Sequence, residues 1–353
     1  MRILLIGKSV AARAFAQYFT QNPDNIVFCT LGGTDAEFID ILPDNAQELC
    51  EFAQANEMTL TLICDENLMQ SNIVSVFTDT GLSVFAPCGS ALKILNSKIQ
   101  TKKFIYKNKI PTPRFQFFEK PQAALDYIRK NPLPVFIKPD TPNASKACVA
   151  TTFSRAKEAV ENIFNCGAKK ILTEEYLWGK EFCVYTICDG SKALALGEIA
   201  KFQNSFAALG ADFLDEKDRE QVSKSINTIF EAISKEYGGY LGILGFNFIK
   251  ANDKIYLLGF ETFFKDIDAQ IMLQSLGQSW DKLFISALSG RLNEDFPQLE
   301  QSQDYALACE FYENGKKINI SSSAKTFNAA RRMLVDNGAD AKEIEEALRF
   351  WKY

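Results

Sequence analysis

The sequence predicts a multi-domain α/β and α+β protein: an N-terminal doubly wound parallel sheet, a two-lobed α+β region, and a small C-terminal α+β domain. Three observations predict it. Strand-length apolar runs alternate with helix-length amphipathic stretches through residues 3–85, the spacing of parallel strands joined by crossover helices. The step Ile110-Pro111-Thr112-Pro113 separates this region from a second set of elements. Beyond it, hairpins turning at Asp189-Gly190 and at Ala251-Asn252-Asp253 introduce antiparallel pairing. With 353 residues the chain has room for two or three cores.

Residues 3–6 read as a buried strand, Gly7 permits a tight turn, and Ser9 caps a helix over 10–19. Strands follow at 26–30, 59–64 and 82–85, with helices at 45–56 and 68–80 between them. A long helical stretch covers 90–108. The next lobe reads as strand 115–118, helix 121–130, strand 135–138, a polar turn over 140–145, an extended segment over 147–152, helix 154–164 and strand 170–175. The hairpin strands are 182–188 and 193–196, then 241–249 and 255–261, with an amphipathic helix over 215–237 between the pairs. A helix over 268–288 closes that lobe, and the tail adds at least one strand, 306–311, and two helices. These elements suggest domains at 1–96, 97–292 (lobes 114–190 and 191–292) and 293–353.

Composition excludes several classes of function. Hydrophobic residues make up 47% and charged residues 24%, an ordinary globular balance, and the net charge of -5 opposes non-specific nucleic-acid binding. A local cationic pocket for a small phosphate compound stays open. The chain has no histidine, which removes Ser-His-Asp, Cys-His and His-metal chemistry. Its nine cysteines form no C-x-x-C pair, so neither a zinc site nor a disulfide framework is expected. An odd count of scattered thiols fits a reducing, cytoplasmic setting. No run of about 18 apolar residues suggests a membrane span, and the apolar start is too short for a signal-peptide core. The expected assembly is a monomer or a homodimer.

Gly7-Lys8-Ser9 looks like a phosphate-binding loop, but the glycine needed five residues before the Gly-Lys pair is Arg2, so that motif fails. An ordinary tight turn, or a strand–Gly–helix turn facing an anion, remains.

Four segments in order carry a more specific pattern. Residues 86–113 (APCGSALKILNSKIQTKKFIYKNKIPTP) resemble G-P-S…S-K…T-K-x-F…G-I-P-T. Residues 134–150 (PVFIKPDTPNASKACVA) resemble P-x-V-V-K-A-D-G-L-A-x-G-K-G-V, and 174–190 (EEYLWGKEFCVYTICDG) resemble E-E-F-L-x-G-E-E. Residues 239–270 stand where a strand–turn–strand ends in E-F-N-x-R-F-G-D-P-E. Together they resemble the phosphoribosylamine–glycine ligase family, from the first residue to about Leu292. The resemblance implies an ATP-grasp fold, two α+β lobes clamping ATP, preceded by a pre-ATP-grasp sheet. It implies ligation of a carboxylate such as glycine to an amine through an acyl phosphate. Such phosphoryl transfer relies on positioning and charge neutralisation.

By this resemblance Lys138 and Lys146 reach the ATP phosphates and, with Asp266, form the catalytic set; the alternative is that Lys138 snorkels at a strand end and Lys146 lies in solvent. Glu174, Glu175, Tyr176, Leu177 and Glu181 would hold adenine and ribose, with Trp178 as a further wall; the alternative is a solvated acidic hairpin. Lys98 matches the lysine of the S-K pair.

Other positions depart from the pattern. Gly259-Phe260-Glu261 replaces E-F-N, whose Glu and Asn would hold Mg2+ in the family. Asn247 and Glu261 are therefore the candidate metal residues here, with exchanged roles; the alternative is a polar lobe surface. Phe263 replaces an arginine and Lys265 a glycine. The phosphate loop reads Ser145-Lys146-Ala147-Cys148 without its glycines. The paired glycines and histidine expected after residue 7 are missing, and 201–213 replaces a longer Gly-rich substrate loop. Three functions follow: an ATP-dependent carboxylate–amine ligase, a reduced ATP-grasp protein that binds adenine nucleotide without ligation, and an interaction scaffold without a nucleotide site.

Overall fold

The computed structural model describes residues 1–87, 89–140, 147–202, 206–210, 213–277, 279–299, 304–313 and 316–349. The N-terminal sheet has five parallel strands in the order Glu37–Phe38, Ile26–Cys29, Arg2–Ile6, Leu60–Ile63 and Val84–Phe85. Its central strand is apolar at every position from Ile3 to Ile6 because helices cover both faces, and all four side chains are fully buried. Ser9 accepts a hydrogen bond from Ala12 N–H and starts the helix Val10–Thr20. Gly7 N–H donates to Thr30 Oγ1 at 2.9 Å, so the turn spends that group internally.

Three expected helices are interrupted. Over 68–80 there is a 3-10 turn, Glu66–Gln70, and then a helix, Ile73–Asp79, because Ser71 is extended between them. The stretch 90–108 divides into Ser90–Leu95 and Lys98–Lys107. Ser97 is extended at the break and accepts from Gln100 N–H, while Asp140 accepts from Ser97 Oγ and Ile99 N–H. The span 268–288 is two helices, Asp266–Ser275 and Trp280–Leu288, divided where Leu276 turns extended.

Four antiparallel strands form a small lobe in the order Phe115–Phe118, Ile171–Glu175, Val135–Pro139 and Cys148–Ala150. Helices Pro121–Arg129 and Phe153–Asn165 share its core. A seven-stranded antiparallel sheet has the order Lys254–Glu261, Leu241–Ala251, Lys180–Asp189, Ala193–Phe202, Phe206–Leu209, Tyr305–Glu313 and Lys316–Ala324. This corrects the expected lobe boundary at 190: Lys180–Asp189 lies inside the large sheet, so the small lobe's strands stop at Glu175. Both tail strands extend the large sheet along the edge of Phe206–Leu209.

The N-terminal lobe and the large sheet share one core. Phe15 lies 5.9 Å from Phe263, 6.0 Å from Trp280 and 5.8 Å from Phe284, ring centre to ring centre. Phe263 is thus a packing residue at 3% exposure, not a member of a polar site. No helix among the described residues is long and apolar enough to cross a membrane.

Candidate functional site

A cleft of about 590 Å³ opens between the small lobe and the large sheet, floored by the helix Lys98–Lys107. Strand periodicity builds the small-lobe wall. On Val135–Pro139 the buried positions alternate with Phe136 and Lys138, which share the cleft face. Glu174 is directly opposite Phe136 in the ladder, so its carboxylate is diagonal to Lys138 and within reach. The large sheet contributes Glu181, Asn247, Ile249 and Glu261. Glu181 pairs with Ile249, and Asn247 with Gly259, across adjacent strands.

The buried centre of the cleft is a lysine–glutamate–lysine cluster. Glu174, 2% exposed, has Lys138 Nζ 2.7 Å from Oε2 and Lys102 Nζ 3.2 Å from Oε1. Lys102, 1% exposed, also donates to Thr112 Oγ1 at 2.7 Å. Burial pushes the Glu174 carboxyl up, but the two ammonium groups outweigh it and hold it below the usual range. Burial lowers Lys102 to about 8, with Glu174 opposing the drop and Lys138 adding to it. Burial and Lys138 also lower Lys98. One carboxylate facing two ammonium groups leaves an excess positive charge, the electrostatic requirement of an anion site. Lys138 Nζ also sits 4.2 Å above the Phe136 ring.

The linker after Glu175 supplies the apolar end. Tyr176 and Leu177 line the cleft with Ile249 and Phe260. Trp178 does not line it: this side chain is 72% exposed and packs edge-on against Tyr176, with ring centres 4.8 Å apart. Gly179 lets the linker cross the large sheet closely, since a Cβ there would collide with the Lys250 carbonyl oxygen. Glu175 reaches outward to Arg114 at 2.8 Å while still lining the cleft.

Among the expected residues, Lys98, Lys138, Glu174, Glu175, Tyr176, Leu177, Glu181, Asn247 and Glu261 come together in this one cleft. Lys146 lies outside the described residues. Asp266 lines a neighbouring cavity of about 540 Å³ with Ser9, Asp65 and Lys201; the two spaces share Glu66, Asn67 and Lys265. Lys201 is paired there with the fully buried Asp268, which also accepts from Tyr185 OH at 2.6 Å. Sequence reasoning missed Lys102 and Glu66 as charged parts of the cleft, and met Lys265 only as the lysine that replaces a glycine and restores charge beside the lost arginine. Of the two missed, only Lys102 left a signal, the T-K-x-F match at Thr101-Lys102-Lys103-Phe104.

The candidate metal residues are adjacent, yet they do not suit magnesium. Asn247 Nδ2 donates to Glu261 Oε1 at 2.7 Å, and Lys265 Nζ lies 2.8 Å from Glu261 Oε2. Glu66 Oε2 takes the same ammonium at 2.9 Å, and its Oε1 accepts from Thr262 N–H and Oγ1. Every oxygen of both carboxylates therefore already has a donor, and Gly259 adds no ligand. Magnesium demands an octahedron of oxygens at about 2.0–2.1 Å. No cluster of three or more Cys, Asp or Glu suited to a metal ion occurs among the described residues.

Residues 1–94 match the phosphoribosylglycinamide synthetase N domain, and residues 96–269 match the phosphoribosylglycinamide synthetase ATP-grasp (A) domain. A phosphoribosylamine–glycine ligase of Caldanaerobacter subterraneus is 26% identical over 317 residues, covering 83% of this chain and 76% of its own length. One from Brucella melitensis is 27% identical over 347 residues, covering 92% and 81%. The crystal structure of Thermotoga maritima phosphoribosylamine–glycine ligase superposes with a TM-score of 0.75 at 15% identity, covering 95% of this chain and 96% of that one. The biotin carboxylase domain of Hydrogenobacter thermophilus 2-oxoglutarate carboxylase, solved with magnesium ADP and bicarbonate, superposes at 0.70 with 15% identity, covering 88% and 74%.

Proposed function

The chain belongs to the phosphoribosylglycinamide synthetase family of ATP-grasp ligases, which form C–N bonds, and from that premise we propose that it joins a small carboxylate to an amine by way of an acyl phosphate. The observation that carries this reading is the single cleft in which Lys98 and Lys138 face Glu181 and an apolar slot, with a second cavity against it.

In this reading adenine lies between Tyr176, Leu177, Ile249 and Phe260, and Glu181 accepts hydrogen bonds from ribose hydroxyls. Lys98 and Lys138 hold the phosphates, with Lys102 and Glu174 fixing Lys138 from beneath; by the family pattern Lys146 is a third phosphate lysine. The carboxylate and amine occupy the cavity lined by Ser9, Asp65, Lys201 and Asp266. A carboxylate oxygen attacks the terminal phosphorus, and the bond to ADP breaks. The amine nitrogen then attacks the acyl carbon, phosphate leaves, and Asp266 takes the proton that the nitrogen loses. Glycine, named in the relatives, is the first carboxylate to try.

A second reading, nucleotide binding without ligation, is favoured by one observation: Gly259 stands where the family pattern has a carboxylate, and Lys265 closes Glu261. An ADP-release screen over amino acids paired with amines separates the two. Release that requires both partners supports the ligase. Nucleotide binding with no release from any pair supports the second reading, and absence of binding defeats both.

A further inference from the structure

Lys265 stands where the family pattern has a glycine. Its backbone N–H donates to Tyr185 OH at 3.2 Å, and that hydroxyl donates to buried Asp268. The backbone is therefore pinned at the mouth of the helix Asp266–Ser275. From there the side chain, 49% exposed, reaches across the cleft wall to Glu261 at 2.8 Å and Glu66 at 2.9 Å. Glu66 comes from the N-terminal lobe, 199 residues away in sequence, so the ammonium ties two lobes together at the point where the two cavities meet. A lysine ammonium held between two carboxylates carries its charge at neutral pH.

An ammonium has three N–H donors. Two are engaged by Glu261 and Glu66, and one is left for a phosphate oxygen. A nucleotide whose base lies by Tyr176 and whose phosphates pass Lys138 runs toward this group. A divalent ion there would face an ammonium within a few ångströms and would have to strip a donor from every carboxylate oxygen it bound. Gly259 offers no replacement ligand, although the space is open: a Cβ there meets only Thr101 Cγ2, at 4.0 Å.

We propose that Lys265 is the resident cation of the cleft, taking the place at the nucleotide's terminal phosphates that a divalent ion fills in other phosphoryl-transfer sites, so that nucleotide binding needs no divalent cation. The inference rests on the nucleotide reading above. Restoring a metal site would then take loss of the lysine, which frees two carboxylates; a carboxylate gained at position 259 alone, opposite Asn247 in the ladder, would still face the ammonium.

Calorimetric titration of the full chain with ADP and with a non-hydrolysable ATP analogue, in EDTA and in magnesium chloride, tests this. Wild-type affinities in the two buffers agree within about threefold. Lys265→Ala loses at least about tenfold in EDTA, and magnesium restores most of the loss. Gly259→Glu, which adds a carboxylate but leaves Lys265 in place, gains no more than about threefold from magnesium. The proposal is overturned if the wild type binds at least about tenfold more tightly with magnesium, or if Lys265→Ala binds equally well in EDTA. Wild-type binding in neither buffer instead removes the nucleotide reading on which it stands. The wild-type comparison and Gly259→Glu remain decisive even where Lys265→Ala does not fold.

Discussion

Replacing Glu174 with Gln keeps the shape of the buried cluster and deletes its only negative charge. Lys102, 1% exposed, is then left without a counter-charge, and Lys138 loses a charge-assisted bond. Breaking a buried pair by removing one partner usually costs about 3–5 kcal/mol. Here Lys102 has an escape. Burial has already brought it from 10.5 to about 8, so shedding its proton costs only about 1.4 kcal/mol for each pH unit below 8. With about 1.5 kcal/mol for the bond lost at Lys138, Glu174→Gln should destabilise by about 3 kcal/mol at pH 7, about 4 at pH 6 and about 1.5 at pH 9. The sign follows from linkage. A lysine whose folded pKa is depressed binds its proton more weakly than in the unfolded chain. In the wild type its contribution to stability rises with pH between about 8 and 10.5, and in the variant that rise begins at lower pH. Equilibrium urea denaturation of both proteins at the three pH values measures the difference. A destabilisation below about 1 kcal/mol at pH 7, or one equal at pH 6 and 9, would refute the buried charge cluster.

Other expectations follow from the same geometry. Because phosphate binding favours protonated Lys102, nucleotide affinity should weaken above about pH 8, by at most about tenfold per pH unit, and a Lys102→Met variant should flatten that profile; titration across pH reads both. Lys138→Met should reduce ADP affinity by about tenfold or more while leaving Glu174 paired with Lys102, as measured by calorimetry with a thermal melt as the folding control. Gly179→Ala should cost about 1–3 kcal/mol in stability and also weaken nucleotide binding, since the new Cβ displaces the linker carrying Tyr176 and Leu177 from Lys250; unchanged affinity would show that the linker does not wall the site.

The parallel sheet was readable because its strands are short apolar runs separated by capped helices, as at Ser9. Lys138 was readable as a cleft-facing lysine from strand periodicity and the P-V-F-I-K-P string, and Glu174 from the E-E-Y-L-W-G-K-E string. Pairing across lobes was not. Lys180–Asp189 follows the small lobe in sequence; its hairpin with 193–202 was legible in the Asp189-Gly190 turn, but its pairing with 241–251 was not, since local pattern does not encode it. The tail strands join the same sheet for the same reason. Lys102 is marked in the sequence only by the T-K-x-F match; its burial appears once Thr112 and Glu174 close over it. Glu66 and Lys265 meet only through the packing of two lobes. Phe263, a lost cation in the sequence, is explained by the aromatic core around Phe15 and Trp280.

Lysine acetylation followed by mass spectrometry, with and without saturating ATP, tests most directly where the nucleotide lies. The account predicts that Lys98, Lys138 and Lys265 become protected together, while Lys157, 57% exposed on the outer helix of the small lobe, reacts at the same rate in both samples. Unchanged labelling of the three cleft lysines when ATP is bound would contradict it.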